Sequence, residues 1–158
     1  MNTIKKYSLL LISLFGLSSC TISTPFRYVD EAERDITEKH DSLLVVITYA
    51  KTGKDGDKNN AFWDNVSKVY DSMDSQSGLV GYSIRRELFG DQAWTMTVWR
   101  EEESLKKFVS GAVHLKAMRE GTGALADMLF ARKRIAVSEI PISWEAAESI
   151  LVEKGRGH

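Results

Sequence analysis

The chain of 158 residues contains one cysteine, Cys20, two prolines and three histidines. A lone thiol excludes an intramolecular disulfide and a zinc–thiolate cluster, so stability must come from an apolar core. Basic residues are not in excess: 21 Lys and Arg stand against 22 Asp and Glu. That balance argues against nucleic acid as a partner, because neutralising phosphates needs a basic face. No apolar run reaches the roughly 20 residues of a membrane-spanning helix. Motifs with a defined chemistry are missing too. There is no phosphate-binding loop, no Gly-x-Ser-x-Gly and no His-Glu-x-x-His. The acidic residues do not cluster with a histidine as metal ligands do, and no internal repeat occurs.

What is present begins at the N-terminus. Lys5 and Lys6 precede the apolar stretch Tyr7–Leu17, which only Ser8, Ser13 and Gly16 interrupt. Its length suits the apolar region of an export signal. The stretch ends Leu17-Ser18-Ser19-Cys20, which resembles the lipobox of bacterial lipoproteins. Small residues admit the backbone to a signal peptidase, and the thiol accepts a diacylglycerol group. The resemblance implies a signal peptide over residues 1–19, and a mature chain anchored to membrane lipid through acylated Cys20. Two or three acyl chains make a stable anchor where one is marginal. Thr21, not Asp, follows the cysteine, which leans towards the outer membrane if the cell is Gram-negative. Without the signal the chain carries 19 basic and 22 acidic residues, a formal charge of −3. Residues 20–40 are polar and charged and read as a lipid-anchored tether, structured only near its end. Residues 41–158 read as one domain of ordinary size.

Within that domain Ser42–Tyr49 is a β-branched apolar run, expected as a strand covered on both faces. A loop rich in Gly and Asp follows, and Asn59 or Asn60 is the expected cap of the next helix. Phe62, Trp63, Val66, Val69, Tyr70 and Met73 form its apolar stripe, with Asp64, Asn65, Lys68 and Asp71 outside. Val80–Leu88 and Gln92–Trp99 read as a hairpin turned at Gly90-Asp91. Its second strand places Trp94, Met96 and Val98 on one face and Thr95, Thr97 and Trp99 on the other. The acids at 101–103 favour a helix start, Leu105, Phe108, Val109 and Ala112 give its stripe, and Gly111 is expected to kink it. Met128–Ile140 reads as a long strand that Pro141 stops. Ser143 caps a last helix, Trp144–Lys154.

The order β-α-β-β-α-β is the ferredoxin-like, split βαβ order, with an extra C-terminal helix. It predicts an α+β fold in which a four-stranded antiparallel sheet carries both main helices on one face. The other face is expected to be apolar and bare within the chain, so that a second copy covers it in a homodimer.

At Thr95–Leu105 the strand ending in Trp99, the acidic turn and the helix after it resemble the antibiotic-biosynthesis-monooxygenase-like superfamily, the dimeric α+β barrels. The resemblance covers roughly Ser42 to Ile140. Phe108–Ser110, His114 and Met118 also resemble the spheroidene-monooxygenase-like branch. The superfamily includes oxygenases, isomerases and haem-handling enzymes, so fold alone does not give activity. Its haem-degrading members use a helix Trp and an iron-ligating His. Phe108 and Met118 hold those two places here, and both depart from the pattern.

The resemblance implies either a monooxygenase-like reaction on a small apolar or aromatic molecule, with no cofactor required, or a non-catalytic lipoprotein that holds a small ligand or haem. For the first, Trp94 and Met96 would supply apolar walls and Arg86 would stabilise a phenolate. Tyr82 or His114 would move a proton. For the second, His114 would be the axial metal ligand.

Overall fold

The computed structural model describes residues 20–29 and 40–157. The expected export signal, residues 1–19, lies outside the described residues. The first described strands are β1 (Thr21–Ser23) and β2 (Arg27–Tyr28). The α+β domain follows as β3 (Ser42–Thr52), α1 (Gly56–Asp71), β4 (Leu79–Glu87) and β5 (Gln92–Trp99). After these come α2 (Glu102–Ser110), α3 (Ala112–Gly121), β6 (Leu125–Ala136), α4 (Trp144–Lys154) and β7 (Arg156–Gly157).

The four long strands pair in the spatial order β4-β5-β3-β6, every pair antiparallel. This is the ferredoxin-like arrangement the sequence order predicts. β1 and β2 extend the sheet beyond β4, and β7 pairs with β6 at the opposite edge. β3 sits in the middle and is apolar from Leu43 to Ile47, where both of its faces are covered.

Residues 43, 45 and 47 of β3 share one face with Met96 and Val98 of β5 and Ala131 and Ile135 of β6. The other face carries Leu44 and Trp99, over which Met73, Leu105 and Phe108 pack. The alternation read along β5 is therefore the one observed.

The second face of the sheet is not bare. α4 lays Ala147, Ile150 and Leu151 onto Leu43, Val45 and Ile47, and Phe26 and Tyr28 pack against the same cluster. This corrects the expectation that the chain leaves that face uncovered. The apolar positions of α4, at 144, 147, 150 and 151, form a helical stripe whose partner is the chain's own sheet. The segment expected as a tether is likewise not one at its start. Thr21 pairs with Glu87, Ile22 with Arg86 and Ser23 with Arg85. The side chain of Arg85 binds it to both layers, with its Nη2 2.9 Å from Thr21 Oγ1 and its Nη1 2.7 Å from Glu148 Oε1.

Three local boundaries differ from the sequence reading. Asp55, not Asn59 or Asn60, caps α1, its carboxylate accepting from the Lys58 N–H. The helix thus starts one turn earlier, and Asn59 donates instead to the Gly53 carbonyl at 2.7 Å. At Gly111 the backbone is extended (φ −67°, ψ 149°), so the expected kink is a complete break between α2 and α3. β6 ends at Ala136, four residues before the expected end, in a short 3-10 turn over Val137–Glu139. Ser143 does cap the last helix, accepting from the Ala146 N–H at 3.2 Å.

Candidate active site: an apolar cavity between sheet and helices

Between the sheet and helices α1 and α3 lies a cavity of about 240 Å3. Its floor is the helix-side face of the sheet, with Val46, Thr48, Thr95 and Thr97 among the strand positions. Phe62, Trp63, Val66 and Val69 of α1 form one wall. His114, Ala117 and Met118 of α3 form another. The break at Gly111 makes this possible, because it frees α3 to pack against α1 independently of α2. At Gly121 the two helices meet so closely that a Cβ there would lie 3.0 Å from the Phe62 ring. Engineered apolar cavities of about 150 Å3 hold one benzene molecule. The space suits a small aromatic compound.

Among the described residues no Lys, Arg, Asp or Glu lines the cavity. Its polar groups are hydroxyls, the Asn65 amide, the Trp63 indole N–H and one imidazole. His114 stacks edge-on to Phe108, with centroids 4.8 Å apart, and its Nδ1 is buried with no hydrogen-bond partner. Burial holds its pKa below the ordinary imidazole value, against a smaller opposing effect of the Val109 backbone. The ring is therefore neutral near pH 7. A neutral imidazole on the cavity wall can accept a proton from a weakly acidic ligand.

Tyr82 also lines the cavity, but its hydroxyl is engaged. It donates to Asp74 Oδ1 at 2.9 Å, and Asp74 is ion-paired with Arg27. Burial, and then the bond to the Asp74 carboxylate, push the phenol pKa far above its usual value. Tyr82 is held as a hydrogen-bond donor within the fold, not as a mobile proton source.

The remaining expected site residues lie elsewhere. Trp94 and Met96 point to the opposite face of the sheet, into the cluster under α4. Strand alternation puts them there, since Thr95 and Thr97 take the cavity side. Arg86 is exposed, beyond the end of the cavity wall at Ile84. Of the expected set the structure brings His114 and Tyr82 to one cavity and leaves Arg86, Trp94 and Met96 out of it.

Asn65 is the residue the sequence reading missed. It was expected on the solvent side of α1, yet it is buried on the cavity wall, its amide 3.4 Å from Glu120 Oε2. The signal was available in its i+3 and i+4 neighbours, because Asn65 lies one turn before Val69 on the same stripe.

Haem does not fit these residues. The cavity offers one imidazole and no basic side chain to meet two propionates. Among the described residues no group of three or more His, Cys, Asp or Glu is placed to hold a metal ion.

The chain matches no family model and no curated protein. Solved structures do resemble it. One is a candidate monooxygenase from Lactobacillus acidophilus, 14% identical, with a TM-score of 0.52 over 60% of this chain and 46% of that one. Another is a candidate monooxygenase from Fusobacterium nucleatum, 11% identical, with a TM-score of 0.53 over 62% of this chain and 46% of that one. This chain thus spans less than half of either. A third is a dimeric ferredoxin-like protein of unknown function from Thermobifida fusca, 13% identical, with a TM-score of 0.48 over 60% and 92% of the two chains. At these identities the likeness is one of fold alone, the ferredoxin-like sheet order described above.

Proposed function

We propose that this chain is a lipid-anchored envelope protein that takes a small aromatic molecule, of phenol type, into the cavity between sheet and helices and oxidises it in a monooxygenase-like reaction. The observation that carries the reading is His114, a neutral, partly buried imidazole on a cavity lined by no charged side chain among the described residues. It would accept the phenolic proton, and the resulting anion delocalises electrons onto a ring carbon that reacts with dioxygen. One oxygen atom enters the ring to give a quinone and the other leaves as water. The chain's own part is to bind, exclude water and hold the proton.

1-Naphthol is a direct probe. Ala117→Phe fills the cavity and should abolish saturable naphthol binding. His114→Gln should keep binding within a fewfold while abolishing oxygen uptake. Binding that survives Ala117→Phe would place the site elsewhere. Binding by the parent without oxygen uptake would leave a non-catalytic carrier, a reading that the scarcity of polar groups in the cavity also supports.

The anchor is part of the proposal. It is supported by the lipobox-like segment ending at Cys20 and by the exposure of that thiol. Cys20→Ser should block processing and move the protein out of the lipid-modified fraction. Unchanged processing and membrane retention of Cys20→Ser would end the lipoprotein reading. Thr21 after the cysteine supports the outer membrane in a Gram-negative cell. A homodimer completes the proposal, supported by the aromatic group Tyr49, Trp94 and Trp144, which α4 leaves only half buried.

A further inference from the structure

The turn between β4 and β5 carries the most exposed large apolar side chain among the described residues. Phe89 is 93% exposed, and its neighbour Leu88 is 45% exposed. Among the described residues the Phe89 ring is left almost wholly uncovered, and Leu88 close to half so. The turn itself is well held, because Glu87 Oε2 accepts from the Asp91 and Gln92 N–H groups. The apolar tip is therefore displayed on a fixed scaffold.

Its neighbour is the residue that matters. The Leu88 N–H donates to the Cys20 carbonyl at 2.8 Å, and the pairing continues with Thr21 opposite Glu87 and Ile22 opposite Arg86. Cys20 is exposed, and Ile22 is 44% exposed. By strand alternation Leu88, Arg86 and Ile84 share one face, so the apolar tip runs along the strand toward the cavity wall at Ile84. Ile22 and Arg86 sit side by side across the strands.

We propose that this tip is a membrane-docking surface: Phe89, Leu88 and Ile22 dip into the acyl region of the bilayer that holds the Cys20 lipid, and Arg86 meets the phosphates at its surface. The inference rests on the lipoprotein reading. Acyl chains on Cys20 emerge within one hydrogen bond of Leu88, so the bilayer is the one partner bound to lie against this patch. An aromatic and two aliphatic side chains with an adjacent guanidinium match the layered chemistry of an interface. Because Thr21 is already paired in the sheet, no slack lies between anchor and domain. The anchor therefore fixes which end of the domain faces the lipid.

The test uses the full lipidated protein. Cys20 is the only cysteine, and acylation consumes its thiol, so Phe89→Cys introduces a single labelling site for bimane. Val152→Cys, at an exposed position on α4, is the control. Each is reconstituted in phosphatidylethanolamine–phosphatidylglycerol vesicles containing lipids spin-labelled along the acyl chain. Metabolic palmitate labelling first reports acylation. With acylation present, quenching of the Phe89 label several-fold above that of the Val152 label supports the docking surface. Equal quenching of the two overturns the docking surface and leaves the anchor standing. Absence of palmitate overturns both.

Discussion

At the scale of single residues, His114 is where burial and chemistry meet. Its folded pKa lies below the usual imidazole value because burial penalises the charged form. The sign of the linkage follows. Between the folded value and the unfolded value of about 6.5, the unfolded chain binds more protons, so stability rises with pH. The stability associated with the neutral ring is fully present above about pH 6.5 and is lost as pH falls toward the folded pKa. Proton NMR should show the His114 ring titrating below an exposed histidine. Urea midpoints of the parent should fall between pH 7 and 5 by more than those of His114→Gln. A ring that titrates at or above 6.5 would end this account and its role as a ready base. Sequence could identify His114 as an internal histidine on a helix but not its burial, which arises from the break at Gly111 and the approach of α3 to α1. Asn65 shows the converse. Its polarity suggested solvent, and only its place on the stripe of Val69 gave the true position.

At the scale of elements, periodicity located the strands and helices well, and their partners poorly. α4 was legible to the residue, from Ser143 to Lys154, because a cap and a stripe are local signals. Which sheet face it covers is a long-range choice that no local pattern encodes. Residues 20–29 were misread as tether because the segment is short and rich in polar residues. Phe26 and Tyr28 nevertheless alternate at strand spacing, and both pack on the sheet. Gly81 is the residue that lets them do so. A Cβ there would lie 2.5 Å from Phe26 Cε1 and 2.6 Å from the Arg27 carbonyl oxygen. Gly81→Val should thus push β2 off β4 while leaving the central strands paired. The expected cost is about 1–3 kcal/mol, the usual range for overpacking. Hydrogen exchange should speed up at Thr24 and Val29, whose N–H groups bond to Ile84 and Val80. The amides of β3 should stay protected. Unchanged exchange at Thr24 and Val29 would mean that the segment does not depend on this close approach.

At the scale of the whole molecule, the sheet is closed on both faces by one chain, with α1, α2 and α3 on one side and α4 with the N-terminal segment on the other. Assembly therefore cannot rest on a bare apolar face, as sequence patterning alone suggested. What remains is smaller and more specific. Tyr49 and Trp94 are neighbours, with centroids 5.5 Å apart, and Arg85 lies across the strands from Trp94 with its guanidinium 6.0 Å from the Trp144 ring centroid. Half-exposed aromatics beside an arginine are the residue types that dominate binding energy when a second copy covers them. The lipidated protein in detergent should sediment as a dimer at micromolar concentration. Trp94→Ala should weaken that dimer at least tenfold, whereas Val152→Arg, on the exposed side of α4, should not change it. Ending the chain at Pro141 removes α4 and exposes Leu43, Val45 and Ile47, so the truncated protein should associate more strongly and less specifically than the parent. A parent that stays monomeric at about 100 μM, above the range in which most specific complexes form, would remove the homodimer from the proposal. In that case the half-buried aromatics would belong to the core beneath α4 alone.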